Sequence, residues 1–108
     1  MTLAEKLRQF AALPLHDATL IRLCLDWRQR TCTAEINAVV STQLDTVSHL
    51  LMWAGVREAR IPQDEPWGPS VYINAARFEA PNLYLIEMQS GDLIAITAES
   101  YSFVATPV

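Results

Sequence analysis

Few side chains in this sequence have the types and neighbours that catalysis requires. His16 and His49 are the two histidines, and the three glycines are scattered along the chain. A nucleophilic serine needs a histidine, an acid and a strained turn, yet no serine lies in a Gly-x-Ser-x-Gly motif. A phosphate-binding loop needs clustered glycines. The sequence therefore predicts a protein that is not an enzyme and needs no cofactor, although two carboxylates could still meet in the folded chain.

The two cysteines, Cys24 and Cys32, are too few for a zinc site, which takes four closely spaced ligands, so no bound metal is expected. They lie in two alternating segments, 18–27 and 31–41, which predict a β-hairpin that turns at Arg28-Gln29. The predicted register places Cys24 on the opposite face from Cys32, which excludes a disulfide. Two reduced thiols are typical of a cytoplasmic protein. The register itself pairs Leu25 with Cys32, Leu23 with Ala34 and Ile21 with Ile36.

Two charged positions have both a functional and a structural interpretation. Asp17 could orient or charge His16, or it could bond backbone amides in a turn, which is the favoured interpretation. Glu87 lies within an apolar strand, where a buried carboxylate would need a partner. Arg77 or Arg57 on a neighbouring strand is the expected partner.

The segment 62–70 is strongly irregular, with three prolines and one glycine in nine positions. Trp67 in this segment could be a rigid binding anchor, because tryptophan offers a large contact area at low entropic cost. It could also fold back to plug the end of the barrel, which is the favoured interpretation. If the segment is a contact surface, Asp64, Glu65 and Trp67 are the candidate partner-binding residues.

The remaining sequence predicts one helix and several strands. Residues 2–13 are expected to form a helix, since Thr2 and Glu5 have capping-box spacing and Pro14 ends it. Residues 46–61 fit either a helix or a strand. We choose a strand, because 56–61 alternates and Gly55 can mark a bulge. Further strands are predicted at 71–78, at 83–89 and 92–98 with Ser90-Gly91 as a two-residue turn, and at 101–104.

These elements predict a single domain over residues 1–108, a length that fits one hydrophobic core. The fold class is mainly β (α+β): an antiparallel meander that forms a sandwich or half-barrel with one short N-terminal helix. No apolar run is long enough to span a membrane. The N-terminus lacks the basic and apolar segments of a secretory signal, so a cytoplasmic location is expected.

The formal net charge of −4 excludes the usual nucleic-acid binder, which needs a basic face. An acidic protein is instead steered towards a basic protein partner.

Three parts of the chain resemble small bacterial proteins of uncharacterised function. They are His16-Asp17-Ala18, the Val56 strand leading to Pro66-Trp67-Gly68-Pro69-Ser70 with Asn74 beyond it, and the hairpin from Ile86 to Asp92. Some of these bacterial proteins are similar to immunity proteins encoded beside polymorphic or contact-dependent toxins. The resemblance implies a cytoplasmic immunity protein that binds one toxin domain, such as a basic nuclease, and does no chemistry.

Two other functions stay open. A small-molecule binder or weak enzyme would use the mouth of the half-barrel, in a concave pocket that contains His16 or His49. An oligomerising structural subunit would form a homodimer through the C-terminal edge strand, Tyr101 to Val104.

Overall fold

The backbone of this protein is mostly extended. The computed structural model describes residues 2–39 and 46–106. The elements over these ranges are α1 (Leu3–Ala11), β1 (Thr19–Asp26), β2 (Thr31–Val39), β3 (Thr46–Ala54), β4 (Glu58–Arg60), β5 (Ile73–Glu79), β6 (Leu83–Met88), β7 (Leu93–Thr97) and β8 (Ser100–Ala105). No helix within these ranges is long and apolar enough to cross a membrane.

The strands form two four-stranded antiparallel sheets, in the orders β1-β2-β3-β8 and β4-β7-β6-β5. The chain passes from one sheet to the other twice at a single corner, where the amide of Glu99 donates to the carbonyl of Ala54 (3.0 Å). The sheets also meet near the start of β1, at the Thr19–Tyr72 bridge and the backbone hydrogen bonds beside it, and they do not close into a barrel. The predicted fold class, a mainly β meander forming a sandwich or half-barrel with one short helix, is confirmed.

An aromatic cluster attaches the helix to both sheets. The Phe10 ring meets Tyr84 of β6 and Tyr101 of β8 edge-on, at 5.0 Å between centroids in each case. Because β6 and β8 belong to different sheets, this one side chain holds the helix across them. The predicted capping box is present, with the Glu5 amide donating to Thr2 Oγ1 at 3.1 Å. The helix ends at Ala11, two residues before its predicted end.

The β1–β2 hairpin confirms most of its predicted register. Leu25 pairs with Cys32 and Leu23 with Ala34. The predicted Ile21–Ile36 pair is wrong, because a bulge after Leu20 places Leu20 opposite Ile36 and leaves Ile21 45% exposed. The bulge inserts one residue that has no partner on the facing strand.

Both cysteines are free, as predicted, with Cys24 exposed and Cys32 buried. Burial, and to a smaller extent the neighbouring Cys24, raise the pKa of the Cys32 thiol to about 11. This thiol therefore stays protonated and unreactive at neutral pH.

The predicted strand 46–61 is two strands in different sheets. Gly55, with φ of 65°, is not a bulge; it ends β3 and turns the chain towards β4. The face of β3 that points into the core carries Leu51 and Trp53, whereas Met52 on the other face is 40% exposed. The sequence also predicts a loop at 43–45. That loop and the last two residues of the predicted strand 31–41 lie outside the described residues.

The β6–β7 hairpin is confirmed, but its turn has three residues rather than two. The amide of Met88 donates to the carbonyl of Asp92 (2.9 Å), and the amide of Gly91 donates to the carbonyl of Met88 (3.0 Å). Gly91 has φ of 97°, a conformation that glycine adopts without steric cost. A three-residue turn that ends in such a residue is a common hairpin type.

The register correction predicts unequal costs for two isoleucine truncations. Ile36→Ala removes a side chain that is 1% exposed, so we expect it to lower the free energy of unfolding by about 2–5 kcal/mol. Ile21→Ala at the bulge should cost about 1 kcal/mol or less. Urea unfolding of both variants measures the difference, and equal losses would contradict the bulged register.

Candidate functional site

The tryptophan loop, residues 62–70, is irregular in backbone but firmly held. The amide of Trp67 donates to the carbonyl of Ser90 (3.0 Å), and the amide of Ser70 donates to Glu65 Oε2 (3.0 Å). Glu65 has φ of 50° and Gly68 φ of 120°, so the chain reverses through left-handed conformations at two points. Together with three prolines, these bonds leave the loop little conformational freedom.

A buried carboxylate attaches this loop to the β6–β7 turn. Asp92 is 4% exposed, and its two oxygens accept from the amides of Asp64 (Oδ1, 3.0 Å) and Glu65 (Oδ2, 3.0 Å). Burial acts to raise the pKa of the Asp92 carboxyl. Hydrogen bonds from the Glu65 amide, the Ser70 hydroxyl, the Asp64 amide and the Ser90 hydroxyl outweigh it and hold the pKa below its usual range. The charged form of Asp92 is therefore the form that holds the loop.

The Trp67 ring lies on the backbone of the β6–β7 turn and faces solvent. A Cβ atom at Gly91 would approach Trp67 Cε3 and Cζ3 to 2.7 Å, so the ring rests where a side chain is missing. Trp67 nevertheless remains 81% exposed. The favoured prediction that Trp67 plugs the end of the barrel is therefore wrong, and the indole is presented to solvent from a fixed position.

Beside Trp67 is an open cleft that brings together three features of the sequence: the His16-Asp17 pair, the tryptophan loop and Glu87. Its floor includes Asn74, whose carbonyl is 2.8 Å from His16 Nδ1. The side-chain amide of Gln89 donates to Asp17 Oδ1 at 2.6 Å and so fixes the entry to β1 against the hairpin.

The charged side chains of the cleft pair only in part as predicted. His16 Nε2 lies 3.5 Å from Asp17 Oδ2, and the two side chains are 70% and 65% exposed. The favoured interpretation, that Asp17 bonds backbone amides, is not what the structure shows, because its carboxylate accepts from Gln89. Glu87 pairs with Arg77 at 3.2 Å, one of the two expected partners, with both side chains partly exposed.

The candidate residues Asp64, Glu65 and Trp67 share one exposed loop, but their roles differ. Glu65 is engaged within the loop by capping the Ser70 amide. Asp64 gives its amide to Asp92 and lies exposed. Asp64 and Trp67 are thus the two of the three whose side chains are free to meet a partner.

An aromatic ring and carboxylates line this cleft, a combination that can bind a partner. Its lining includes no serine or cysteine next to His16. Within residues 2–39 and 46–106, no three histidine, cysteine or acidic side chains are grouped as metal ligands. The other histidine, His49, belongs to β3, where its ring stacks on Phe103 at 4.5 Å.

The core is closely packed where the inner faces of the two sheets meet around Ile36 and Ile86. The core side chains of both sheets, from Leu23 and Ile36 on one to Ile86 and Ile94 on the other, leave about 10 Å³ among them. A space of that size holds no more than about one water molecule. The sequence predicts that a small-molecule pocket with His16 would lie at the mouth of a half-barrel. In the structure, the concave surface that contains His16 is the open cleft beside Trp67.

The residues that organise this site have no direct sign in the sequence. Asp92 and Gly91 directly follow Ser90 in a turn that the sequence marks clearly, but their partners lie 24 to 28 positions earlier. A turn aspartate ordinarily bonds its own neighbours, so local pattern does not reveal the long-range bond.

No family model and no curated protein matches the chain. Among solved structures, it is similar to the crystal structure of an uncharacterized protein from Neisseria gonorrhoeae, with a TM-score of 0.56 and 13% sequence identity. The match covers 82% of this chain and 90% of that chain. At this identity the likeness concerns the fold alone.

The role of Asp92 predicts a pH-dependent loop. Asp92→Asn leaves one acceptor for two backbone amides, so we expect the Asp64 and Glu65 amides to exchange hydrogen roughly tenfold faster. Folding lowers the pKa of the Asp92 carboxyl. The charged carboxylate therefore stabilises the folded protein fully at pH values above the ordinary carboxyl pKa of about 4. This stabilisation is lost as the pH falls through the lower pKa of the folded state.

The same experiment has a matched control. Asp64→Asn removes an equal charge from an exposed side chain and should leave exchange in the loop nearly unchanged. If both variants exchange alike, Asp92 does not anchor the loop. The wild type should lose melting temperature below pH 4 more steeply than Asp92→Asn.

Proposed function

We propose that this chain is a non-enzymatic protein-interaction domain, and that it acts in the cytoplasm as an immunity protein that neutralises a cognate bacterial toxin. The observation that carries the proposal is Trp67, which is 81% exposed on a loop that the rest of the fold holds in place. A large exposed aromatic ring gains most when a partner removes it from water.

The rigidity of the tryptophan loop supports a binding role. Association ordinarily costs free energy to order mobile side chains and loops. Here Asp92 already fixes the backbone before Trp67, and the Ser90 carbonyl accepts from the amide of Trp67 itself. A partner therefore meets an anchor whose position is set before contact.

The charges around the cleft support a basic partner. Asp17 and Glu87 line the cleft, with Glu87 paired to Arg77, and the neighbouring tryptophan loop carries Asp64 and Glu65. A local excess of negative charge raises the association rate of a positively charged protein. A toxin domain with a basic surface, such as a nuclease, fits this requirement.

The immunity role rests on the sequence resemblance, and residues from three of its segments line one cleft. They include His16, Trp67, Asn74 and, from the hairpin, Glu87 and Gly91. Val56, which also belongs to the resemblance, lies in a different groove. Because these segments carry the resemblance to immunity proteins, we expect the cleft that they line to be the surface that contacts a toxin.

The test is toxin neutralisation by the full chain and its variants. A toxin domain encoded beside this gene should be neutralised on co-expression and bound in solution. Trp67→Ala should weaken binding by about tenfold or more. Asp64→Asn should mainly lower the association rate and its dependence on salt.

Met52→Ala is the matched control, because it also truncates an exposed apolar side chain but lies on the outer face of β3. It should bind as the wild type does. If the neighbouring gene product is not neutralised, or if Trp67→Ala binds unchanged, the proposal fails.

A second candidate is self-association through β8, because β8 is an edge strand and its Val104 is 54% exposed. Pairing across a two-fold axis would join two such edges into one sheet. Light scattering at rising concentration should then give twice the monomer mass, and a proline at an edge position should return the monomer. A monomer mass throughout would exclude this candidate.

A further inference from the structure

A groove opens between the N-terminal helix and β8, at one margin of the sandwich, and we call it the helix groove. Leu13, just after α1, lies on one side of it, and Tyr101 and Phe103 of the edge strand β8 lie on the other. Tyr84 of β6, which is 0% exposed, lies at its floor. The volume of the groove is about 650 Å³, within the range of small-molecule sites.

The described side chains that line the helix groove carry no charge. Besides three aromatic rings, they are Gln9, Ala12, Leu13, Ser100 and Ser102. The cleft beside Trp67, by contrast, contains carboxylates and an arginine, and a groove at the β1–β2 turn contains charges of both signs. An ion that entered the helix groove would lose water without meeting an opposite charge among these residues, so the lining favours an uncharged occupant.

The hydroxyl of Tyr84 is a buried polar group without a hydrogen-bond partner. Its ring is surrounded by other rings, with centroid distances of 5.0 Å to Phe10, 4.9 Å to Phe78 and 5.5 Å to Tyr101. Proteins pair nearly all buried polar groups, because an unpaired one lowers stability. Within the described residues Trp53 Nε1 is the other such atom, and Trp53 does not line the helix groove.

The Tyr84 hydroxyl lies towards the groove wall that Tyr101 forms. Burial and, to a smaller extent, the charge of the Tyr101 phenolate raise the pKa of the Tyr84 phenol. An electrostatic effect between two phenols requires that their oxygens lie close together. The raised pKa also keeps Tyr84 protonated at neutral pH, so that its O–H can donate a hydrogen bond.

The walls of the helix groove lie at the margin of the core. Leu13, Tyr101 and Phe103 are only partly buried and pack against the core from outside. Side chains that reach solvent change rotamer rapidly. A ligand can therefore reach the Tyr84 hydroxyl by displacing these side chains, without separating the two sheets.

We propose that the helix groove binds a small, uncharged aromatic molecule that carries one carbonyl group. The ring of the ligand packs among Leu13, Tyr101 and Phe103, and its carbonyl oxygen accepts from the Tyr84 O–H. Aromatic packing supplies the contact area, and the single hydrogen bond sets the orientation. This site goes beyond the proposed immunity function and shares no lining residue with the cleft beside Trp67.

The test uses the full chain at neutral pH and three probes of similar size, namely acetophenone, ethylbenzene and benzoate, at millimolar concentration. With acetophenone, amide chemical shifts should move at residues 9, 12–13, 84 and 100–103. Ethylbenzene lacks the oxygen and should bind about fivefold more weakly, because it leaves the Tyr84 hydroxyl unpaired. Benzoate should also bind more weakly than acetophenone, because its charge loses water without compensation.

Tyr84→Phe removes the hydroxyl and keeps the ring. This variant should bind acetophenone and ethylbenzene with equal affinity, so that the fivefold preference disappears. Its melting temperature should be kept or raised, because the change removes an unpaired buried polar group. Tyr72→Phe is the matched control: it makes the same change on a ring that is 52% exposed and outside the groove, and it should keep the preference for acetophenone.

Any of four results would overturn the proposal. The first two are no shift at the groove residues with millimolar acetophenone, and equal affinity of the wild type for acetophenone and ethylbenzene. The third is a preference for acetophenone that persists in Tyr84→Phe. The fourth is a clear fall in the melting temperature of Tyr84→Phe, which would mean that the protein itself pairs the hydroxyl.

A second copy of the chain is the competing occupant of the helix groove. If the shifts of the groove residues depend on protein concentration without any probe, the groove is an interface between copies and the proposal fails. Because Trp67 and the toxin have no part in these experiments, their outcome is independent of the proposed immunity function.

Discussion

The bonds made by the Asp92 carboxylate are the interaction on which the candidate site depends. A buried carboxylate must be compensated by hydrogen bonds, and besides the nearby Ser90 hydroxyl its donors include amides that lie 27 and 28 positions earlier in the chain. Satisfying this one side chain therefore fixes the tryptophan loop, and the fixed loop sets the ring of Trp67 against Gly91. An apolar residue at position 92 would remove these two bonds and leave the loop held by the Trp67–Ser90 and Ser70–Glu65 bonds.

The parts of the fold that sequence could predict are those that depend on neighbours along the chain. Alternation identified the β1–β2 and β6–β7 hairpins, and the spacing of Thr2 and Glu5 identified the helix start. Alternation could not predict the bulge at Ile21. The bulge lies next to the bridge between Thr19 and Tyr72, a contact between segments that are distant in the sequence. The sequence predicts a bulge at Gly55. That prediction is wrong, because the role of Gly55 as a corner depends on the second sheet.

The candidate site was predictable as a set of segments but not as a surface. Pattern singled out His16-Asp17, Trp67 and Glu87 separately, and the fold brings all of them to one cleft. The exposure of Trp67 could not be inferred from the sequence. The position of its ring depends on the absence of a side chain at Gly91, which lies 24 positions later in the chain. The apolar residues Leu25 and Trp27 show the converse: their alternation predicts burial, but the sheet extends beyond the core that would cover them.

The corner between the sheets also bears on how the chain reaches this fold. Most strands pair with sequence neighbours, whereas the β3–β8 and β4–β7 ladders join distant segments. Both of these ladders start at the same corner, where Glu99 meets Ala54 and Arg57 meets Thr97. The entropy lost in closing a long loop is thus incurred once for two ladders. Hairpins that form locally can accordingly assemble into both sheets through a single nucleating contact.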